Sequence, residues 1–136
     1  MSSEPRISIE HVIDLDYDEV ASSLKRFIRG YIASSGARGA VVGVSGGVDS
    51  ATTLTLLVEA LGSNRVIALI MPDSRVTPKE DVEDALNLVK SLGVEHKILQ
   101  IDSIVDAYVG VAGEASKKTV GNLRARDKDD PAILRG

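Results

Sequence analysis

One stretch of small and polar residues has the composition of a phosphate-binding loop. Residues 43–50 read Gly-Val-Ser-Gly-Gly-Val-Asp-Ser, between the apolar run 40–42 and a helix-like segment. Gly46 and Gly47 leave their backbone N–H groups accessible to an anion, because glycine has no side chain. A helix that begins directly after the loop adds free N–H groups and the positive end of its dipole. The stretch therefore predicts a polyphosphate site between a strand and a helix.

Three side chains in this stretch add chemistry to the backbone. Ser45 and Ser50 supply hydroxyl donors, and Asp49 supplies a carboxylate suited to Mg²⁺ among phosphate oxygens. A glycine-rich turn between strand and helix, capped by the aspartate and binding no ligand, is the alternative interpretation. The predicted nucleotide-binding residues are Gly43, Val44, Ser45, Gly46, Gly47, Val48, Asp49 and Ser50.

The pattern differs from two common phosphate-binding motifs and resembles a third. It lacks the Gly-Lys-Ser/Thr of the Walker A loop, and it is not the Gly-x-Gly-x-x-Gly of dinucleotide-binding folds. The sequence Ser-Gly-Gly-x-Asp-Ser at 45–50 resembles the pyrophosphate loop, or PP-loop, of the N-type ATP pyrophosphatases. Those enzymes cleave ATP between the α and β phosphates, so the resemblance implies ATP and Mg²⁺ at this loop.

Strands and helices alternate along the rest of the chain. Hydrophobic periodicity and capping residues predict each element. The predicted elements are a helix from Asp16 or Asp18 to about Ser35, a strand at 41–44, a helix ending at Gly62, a strand at 66–71, a helix opened by a capping box at 77–80, a strand at 94–101 and a helix from Asp102 or Ser103.

This alternation predicts an α/β fold. Helices between consecutive strands imply right-handed crossovers, and the strand at 41–44 is apolar on both faces. We therefore expect a three-layer, Rossmann-like parallel sheet with helices on both faces, similar to the PP-loop ATP pyrophosphatases and adenine nucleotide alpha hydrolases. Ligands bind beyond the carboxyl ends of such strands, where the glycine-rich loop would lie.

Composition limits the kind of protein. The chain has 136 residues with 43% hydrophobic and 26% charged residues, as expected for a single folded domain. A net charge of −4 and 3% aromatic residues argue against a nucleic-acid surface. There is no cysteine, which fits a cytoplasmic location, and we expect no membrane partner because the longest apolar run, 66–71, is far too short to span a bilayer.

Further segments narrow the resemblance to NAD synthetases of the ammonia-dependent type. They are Met71-Pro72, Thr77-Pro78-x-Glu80-Asp81-x-x-Asp84-Ala85, Leu92-Gly93-Val94-Glu95-His96, Ile101-Asp102-x-Ile104-Val105-Asp106 and Gly121-Asn122-Leu123-Arg124-Ala125-Arg126. The resemblance implies adenylation of deamido-NAD by ATP and then amidation by ammonia, in a homodimer. It places Asp49 and Ser45 at the catalytic centre, with Asp49 as the Mg²⁺ ligand, and Arg126 in contact with deamido-NAD. A solvated basic loop is the alternative for Arg126.

The end of the chain departs from the family pattern. NAD synthetases continue well past the segment that resembles 121–126, whereas ten residues follow Arg126 here. We therefore expect residues 1–136 to form one PP-loop ATP-binding domain, truncated at its C-terminal side and weakly active or inactive alone. Another PP-loop adenylating enzyme and a non-catalytic ATP-binding module remain as alternatives.

Overall fold

A computed structural model describes residues 9–112, the side chains of residues 11 and 12 excepted. The helices and strands are α1 (Ile9–Ile13), α2 (Tyr17–Ser35), β1 (Ala40–Gly43), α3 (Val48–Leu61), β2 (Val66–Ile70), α4 (Lys79–Ser91), β3 (Glu95–Ile98) and α5 (Asp102–Ala112). The predicted order of elements from α2 to α5 is confirmed, while α1 was not predicted. Among these described residues, no helix has the length and apolar character needed to cross a membrane.

The strands form a parallel sheet with β2 in the centre. Val42 pairs with Ala68, and Ala68 in turn pairs with His96. The ladder continues past the carboxyl ends of β1 and β3, because the Val44 N–H donates to the Leu69 carbonyl and the Leu99 N–H to the Ile70 carbonyl, each at 2.8 Å. Parallel pairing brings the carboxyl ends of all three strands to one edge of the sheet, which confirms the predicted α/β class.

The core lies on one face of this sheet. Alternate residues of a strand point to opposite faces, and those of β1 and β2 on the core face pack against both α3 and α4. The buried residues of this core are Val44, Leu54, Val66, Ala68, Ile70, Ala85, Val89 and Val94. Helices α3 and α4 therefore cover the same face. The opposite face is more open, since Val41 is 63% exposed.

Helix α2 packs on α3, outside the sheet. Asp16 caps its N-terminus, accepting hydrogen bonds from the N–H groups of Asp18 at 3.1 Å and Glu19 at 3.2 Å. This confirms the predicted acidic cap. A salt bridge of 3.0 Å between Lys25 Nζ and Glu59 Oε2 links the two helices. The apolar residues of α2 that stay exposed, which we call the outer side of α2, are Tyr17, Val20, Leu24, Phe27 and Tyr31.

The predicted capping box at the start of α4 is wrong. Pro78 occupies the N-cap position, and no side chain bonds to the helix start. Thr77 is engaged elsewhere, because its Oγ1 accepts the N–H of Asp73 at 3.0 Å. The hydroxyl thus closes the turn before the helix instead of capping the helix itself.

The third strand is shorter than the predicted 94–101. Val94 lies just past the turn that ends α4, and its N–H donates back to the Val89 carbonyl at 3.0 Å. Past the strand, the Ile101 N–H donates to the Pro72 carbonyl at 3.0 Å, so the chain stays close to the end of β2. Helix α5 therefore begins beside the segment that leaves β2.

Candidate functional site

The glycine-rich loop leaves the carboxyl end of β1 and enters α3. Val44 is 3% exposed, and its backbone bond to Leu69 continues the sheet into the loop. Helix α3 begins at Val48, so residues 48–50 of the stretch already form its first turn. The strand–loop–helix arrangement predicted for residues 43–50 is thus present.

Two serine hydroxyls hold the loop in a closed shape. The Oγ atoms of Ser45 and Ser50 lie 3.1 Å apart, and the Ser45 N–H donates to Ser50 Oγ at 3.1 Å. Ser50 is buried, and its hydroxyl also donates to the Gly47 carbonyl at 3.2 Å. The Gly47 N–H donates to Ser45 Oγ at 3.3 Å. The structure therefore gives Ser50 a role inside the loop, whereas Ser45 is exposed and accessible to a ligand.

Gly46 allows the loop to touch the start of α4. Its φ of +84° lies in the left-handed region that favours glycine. A Cβ placed on Gly46 would lie 2.4 Å from the carbonyl oxygen of Asp81. On the preceding strand, a Cβ on Gly43 would lie 3.2 Å from Met71 Cε. Met71, directly after β2, and Asp81, in the first turn of α4, thus form a wall behind the loop.

The first turn of α3 presents backbone donors and one carboxylate. Gly47 is the N-cap and makes no side-chain capping bond, so the first N–H groups of the helix lack a side-chain acceptor there. Asp49 is exposed in this turn, and Val48 is 75% exposed. Donors from the helix end and a carboxylate beside them suit a phosphate group that carries a cation.

A second polar cluster lies at the carboxyl end of β2, and sequence reasoning did not single it out. Asp73 is buried, at 2% exposure, and forms a two-point ion pair with Arg75. Arg75 Nη1 also donates to Asp106 Oδ1 of α5 at 2.5 Å. Charged residues directly after a central parallel strand were the available signal, because such positions border the ligand edge.

These contacts shift the ionisation of two side chains. The hydrogen bond to Asp73, followed by that to Asp106, raises the pKa of the Arg75 guanidinium further above its usual value. The hydroxyl of Ser74 donates to the Asp102 carboxylate and lowers the pKa of that group below its usual value. Arg75 and Asp102 are therefore charged at neutral pH.

The predicted substrate contact Arg126 lies outside the described residues, as does the whole 121–126 segment. The described residues 9–112 contain no group of three or more His, Cys, Asp or Glu side chains that could hold a metal ion. Mg²⁺ commonly binds through one or two carboxylates together with phosphate oxygens and water, so a single exposed carboxylate such as that of Asp49 fits this ion.

A family model described as NAD synthase matches residues 20–130, which is most of the chain. An NH(3)-dependent NAD(+) synthetase from Hyperthermus butylicus is 56% identical over 122 residues, covering 89% of this chain and 44% of that protein. The chain therefore spans a little less than half the length of the curated relatives it matches.

Solved structures agree with this match. The NH3-dependent NAD synthetase from Campylobacter jejuni, in complex with a nitrate ion, superposes with a TM-score of 0.72 at 37% identity. That superposition covers 82% of this chain and 48% of that one. The glutamine-dependent NAD+ synthetase from Acinetobacter baumannii, in complex with ADP, superposes with a TM-score of 0.70 at 30% identity, covering 91% of this chain and 24% of that one.

Proposed function

The chain belongs to the NAD synthase family, and we propose that it carries the ATP-binding site of an ammonia-dependent NAD synthetase, a ligase that forms a C–N bond. The observation that carries this proposal is the closed loop 43–50, which lies within the matched residues and aims the first turn of α3 at the ligand edge of the sheet. The relative solved with ADP supports an adenine nucleotide as the ligand.

The proposed reaction has two steps. A carboxylate oxygen of deamido-NAD attacks the α-phosphorus of ATP, the bond from that phosphorus to the bridging oxygen breaks, and pyrophosphate leaves. The nitrogen of ammonia then attacks the activated carbonyl carbon, AMP leaves, and a proton is released. Neither step requires a strongly shifted acid or base, so positioning and charge stabilisation supply most of the rate enhancement.

The residues of the loop have distinct tasks in this proposal. The backbone N–H groups of residues 46, 48 and 49 and the exposed Ser45 hydroxyl bind the departing pyrophosphate, and the dipole of α3 stabilises its charge. The Gly47 N–H stays bonded to Ser45 Oγ. Ser50 holds the loop closed from its buried position. Asp49 would hold Mg²⁺, which neutralises phosphate charge when bound. Arg126 is proposed to contact deamido-NAD.

Pyrophosphate release tests the proposal directly. Residues 1–136 are incubated with Mg·ATP, with and without deamido-NAD and ammonium, and pyrophosphate, AMP and NAD are measured. We expect Mg·ATP to bind, and pyrophosphate release to depend on deamido-NAD. Binding is measured separately by calorimetry, because the chain covers less than half of its relatives' length and turnover can be slow even where the nucleotide site is intact.

Three results separate the candidate functions. NAD formed from deamido-NAD supports the synthetase. Release of pyrophosphate with another carboxylate or carbonyl acceptor, and none with deamido-NAD, would assign a different adenylating enzyme. Binding of Mg·ATP without release under any condition would favour a nucleotide-binding module, and a chain that binds neither ATP nor pyrophosphate would refute the proposal.

We also propose that the chain forms a homodimer through the outer side of α2. The aromatic residues there are Tyr17, Phe27 and Tyr31, each between 63 and 69% exposed. Fully buried aromatics cover 150–250 Å² each, so these three alone expose roughly 400 Å². Monomers rarely expose apolar patches larger than a few hundred Å², and a standard interface covers about 800 Å² on each partner. A second copy, packed on the same stripe, would cover this surface.

Sedimentation velocity checks this surface. We expect wild-type chain to sediment as a dimer, and Phe27→Glu to weaken dimerisation at least about tenfold, because a central aromatic anchor is replaced by a charge. Arg29→Glu is the matched control, since Arg29 is exposed on the polar side of the same helix. A wild-type monomer at high concentration, or equal effects of the two variants, would refute the proposal.

The remaining assignments follow from charge and composition. A net charge of −4 supports small-molecule substrates over nucleic acid. The absence of cysteine is compatible with the cytoplasm, which we propose as the location.

A further inference from the structure

The wall behind the phosphate loop spans the connection between β2 and α4 and the first turn of α4. Met71 reaches Gly43 from the start of the connection, and the backbone of Asp81, in the first turn of α4, lies against Gly46. The contact at Gly46 is backbone to backbone, so no flexible side chain can absorb a shift of the connection. The position of the loop therefore depends on the position of residues 71–81, which we call the backing segment.

The backing segment is folded by its own hydrogen bonds near Asp73. The Asp73 carbonyl accepts the N–H groups of Val76 at 3.1 Å and Thr77 at 2.8 Å. The Thr77 hydroxyl accepts the Asp73 N–H at 3.0 Å. These bonds define a tight turn, but all of them lie within the segment and none fixes where the turn stands relative to the sheet.

Arg75 connects this turn to helix α5. Its Nε and Nη2 donate to the two carboxylate oxygens of Asp73 at 2.9 and 3.1 Å. From the same guanidinium, Nη1 donates to Asp106 Oδ1 at 2.5 Å and Nη2 to the Asp102 carbonyl at 3.3 Å. A planar guanidinium can donate to the turn and to α5 at the same time with fixed geometry, which a lysine cannot do. Ser74 adds a parallel connection by donating to the Asp102 carboxylate.

We propose that Arg75 is a positioning residue for the phosphate loop. It braces the backing segment against α5, and the braced segment holds residues 43–47 in the shape that binds the polyphosphate, without Arg75 touching that group. The effect on the nucleotide rests on the proposed function, whereas the effect on the loop rests on the described contacts alone.

Amide hydrogen exchange of the ligand-free chain tests the effect on the loop. In Arg75→Met we expect the amides of residues 44–50 to exchange at least about fivefold faster, because a loosened wall allows local opening of the loop. Asp106→Asn removes the charge at the α5 end of the brace and should act in the same direction with a smaller effect. Since Asp106 is 61% exposed, that variant keeps its core packing.

Lys25→Met is the matched control. It breaks the salt bridge between α2 and α3, whose length of 3.0 Å matches the 2.9 Å between Arg75 Nε and Asp73 Oδ1. Both substitutions remove one partly exposed cation. Because Asp73 is buried, the free energy of unfolding of each variant is measured as well, and exchange rates are compared under conditions where both variants are folded. Exchange in residues 44–50 should stay at the wild-type rate in Lys25→Met. Equal rates in Arg75→Met and wild type, or equal acceleration in Lys25→Met, would overturn the proposal.

Affinity for Mg·ATP and for Mg·pyrophosphate tests the consequence for the ligand. Arg75→Met should weaken both about tenfold, at a temperature where circular dichroism shows all variants folded, because a misplaced loop loses oriented donors. Arg75→Lys should recover only part of the affinity. A double variant of Arg75→Met and Asp106→Asn should be no weaker than Arg75→Met alone, as expected for residues acting as one unit.

The outcomes for the brace and for the proposed function are distinct. Faster exchange in the loop with unchanged affinity would overturn the role of Arg75 in nucleotide binding. A wild-type chain that binds neither ligand would refute the proposed function, and the exchange experiment would still decide whether Arg75 positions the loop.

Discussion

Replacing Asp49 with asparagine is expected to lower deamido-NAD-dependent pyrophosphate release by about 100-fold, the scale seen when one transition-state electrostatic contact is removed. Asparagine keeps the size of the side chain and one acceptor oxygen in the first turn of α3, and it removes the charge. We expect this loss because the wild-type carboxylate, which is exposed, holds Mg²⁺ against the phosphates, and the neutral amide of the variant cannot. The measurement is pyrophosphate release at fixed Mg·ATP, repeated over a range of Mg²⁺ concentrations.

The effect of Asp49→Asn on ATP affinity should reverse when the metal is removed, and this reversal makes the prediction specific. In the presence of EDTA, Asp49→Asn should bind ATP at least as tightly as the wild type, because the carboxylate then faces phosphate charge with no cation between them. With Mg²⁺ present, the same variant should bind more weakly. A general distortion of the loop would weaken binding under both conditions.

Glu59→Gln is the control for loss of a carboxylate from α3. Glu59 is exposed in the last part of the helix, where it pairs with Lys25 and lies far along the chain from the loop. We expect this variant to release pyrophosphate at the wild-type rate. If Asp49→Asn behaved like Glu59→Gln at every Mg²⁺ concentration, Asp49 would not be the metal ligand.

The sequence was most informative where local chemistry and hydrophobic pattern agreed. Residues 43–50 combined glycines, an apolar strand before them and a helical pattern after them, and the structure has that arrangement. The predicted bounds of α2, a start at Asp16 or Asp18 and an end near Ser35, agree with the structure, because the Asp16 cap and the left-handed Gly36 each act through their own backbone neighbourhood. Such features depend on few residues that are close in the chain.

Features that depend on distant partners could not be predicted. Thr77 had the spacing of a capping residue, but the Asp73 N–H competes for its hydroxyl, and only the turn geometry decides between them. Asp102 likewise had the position of a helix cap, and its carboxylate instead accepts from Ser74, 28 residues earlier. Arg75 and Asp106 are 31 positions apart in the sequence, so no local pattern could predict the hydrogen bond between them.

The two glycines of the loop also have different roles that could not be predicted from the sequence. Sequence reasoning assigned Gly46 and Gly47 one common role, that of leaving room for an anion. The structure separates them, because Gly46 has a φ of +84° and faces the backbone of Asp81. Gly47 has an ordinary φ of −87°, and a Cβ there would meet only Ser45 Oγ, at 3.4 Å. Gly46 is thus needed for packing inside the protein.

Gly46→Ala is therefore expected to cost roughly 2–4 kcal/mol of stability, from a left-handed backbone with a side chain and a methyl group forced against Asp81. To relieve the contact, the loop must move away from α4, and we expect affinity for Mg·ATP to fall by about 100-fold as its donors lose their orientation. Thermal unfolding and calorimetric titration with Mg·ATP measure the two effects.

Gly47→Ala separates the packing of the loop from its chemistry. A Cβ at 3.4 Å is in ordinary contact, and the reduced freedom of the unfolded chain offsets the weaker N-cap, so stability should change by less than about 1 kcal/mol. Wild-type stability in Gly46→Ala would contradict the contact between the loop and α4. Equal destabilisation in both variants would show that the loop needs two flexible positions, whereas a large loss in Gly46→Ala alone would establish that α4 fixes the shape of the phosphate site.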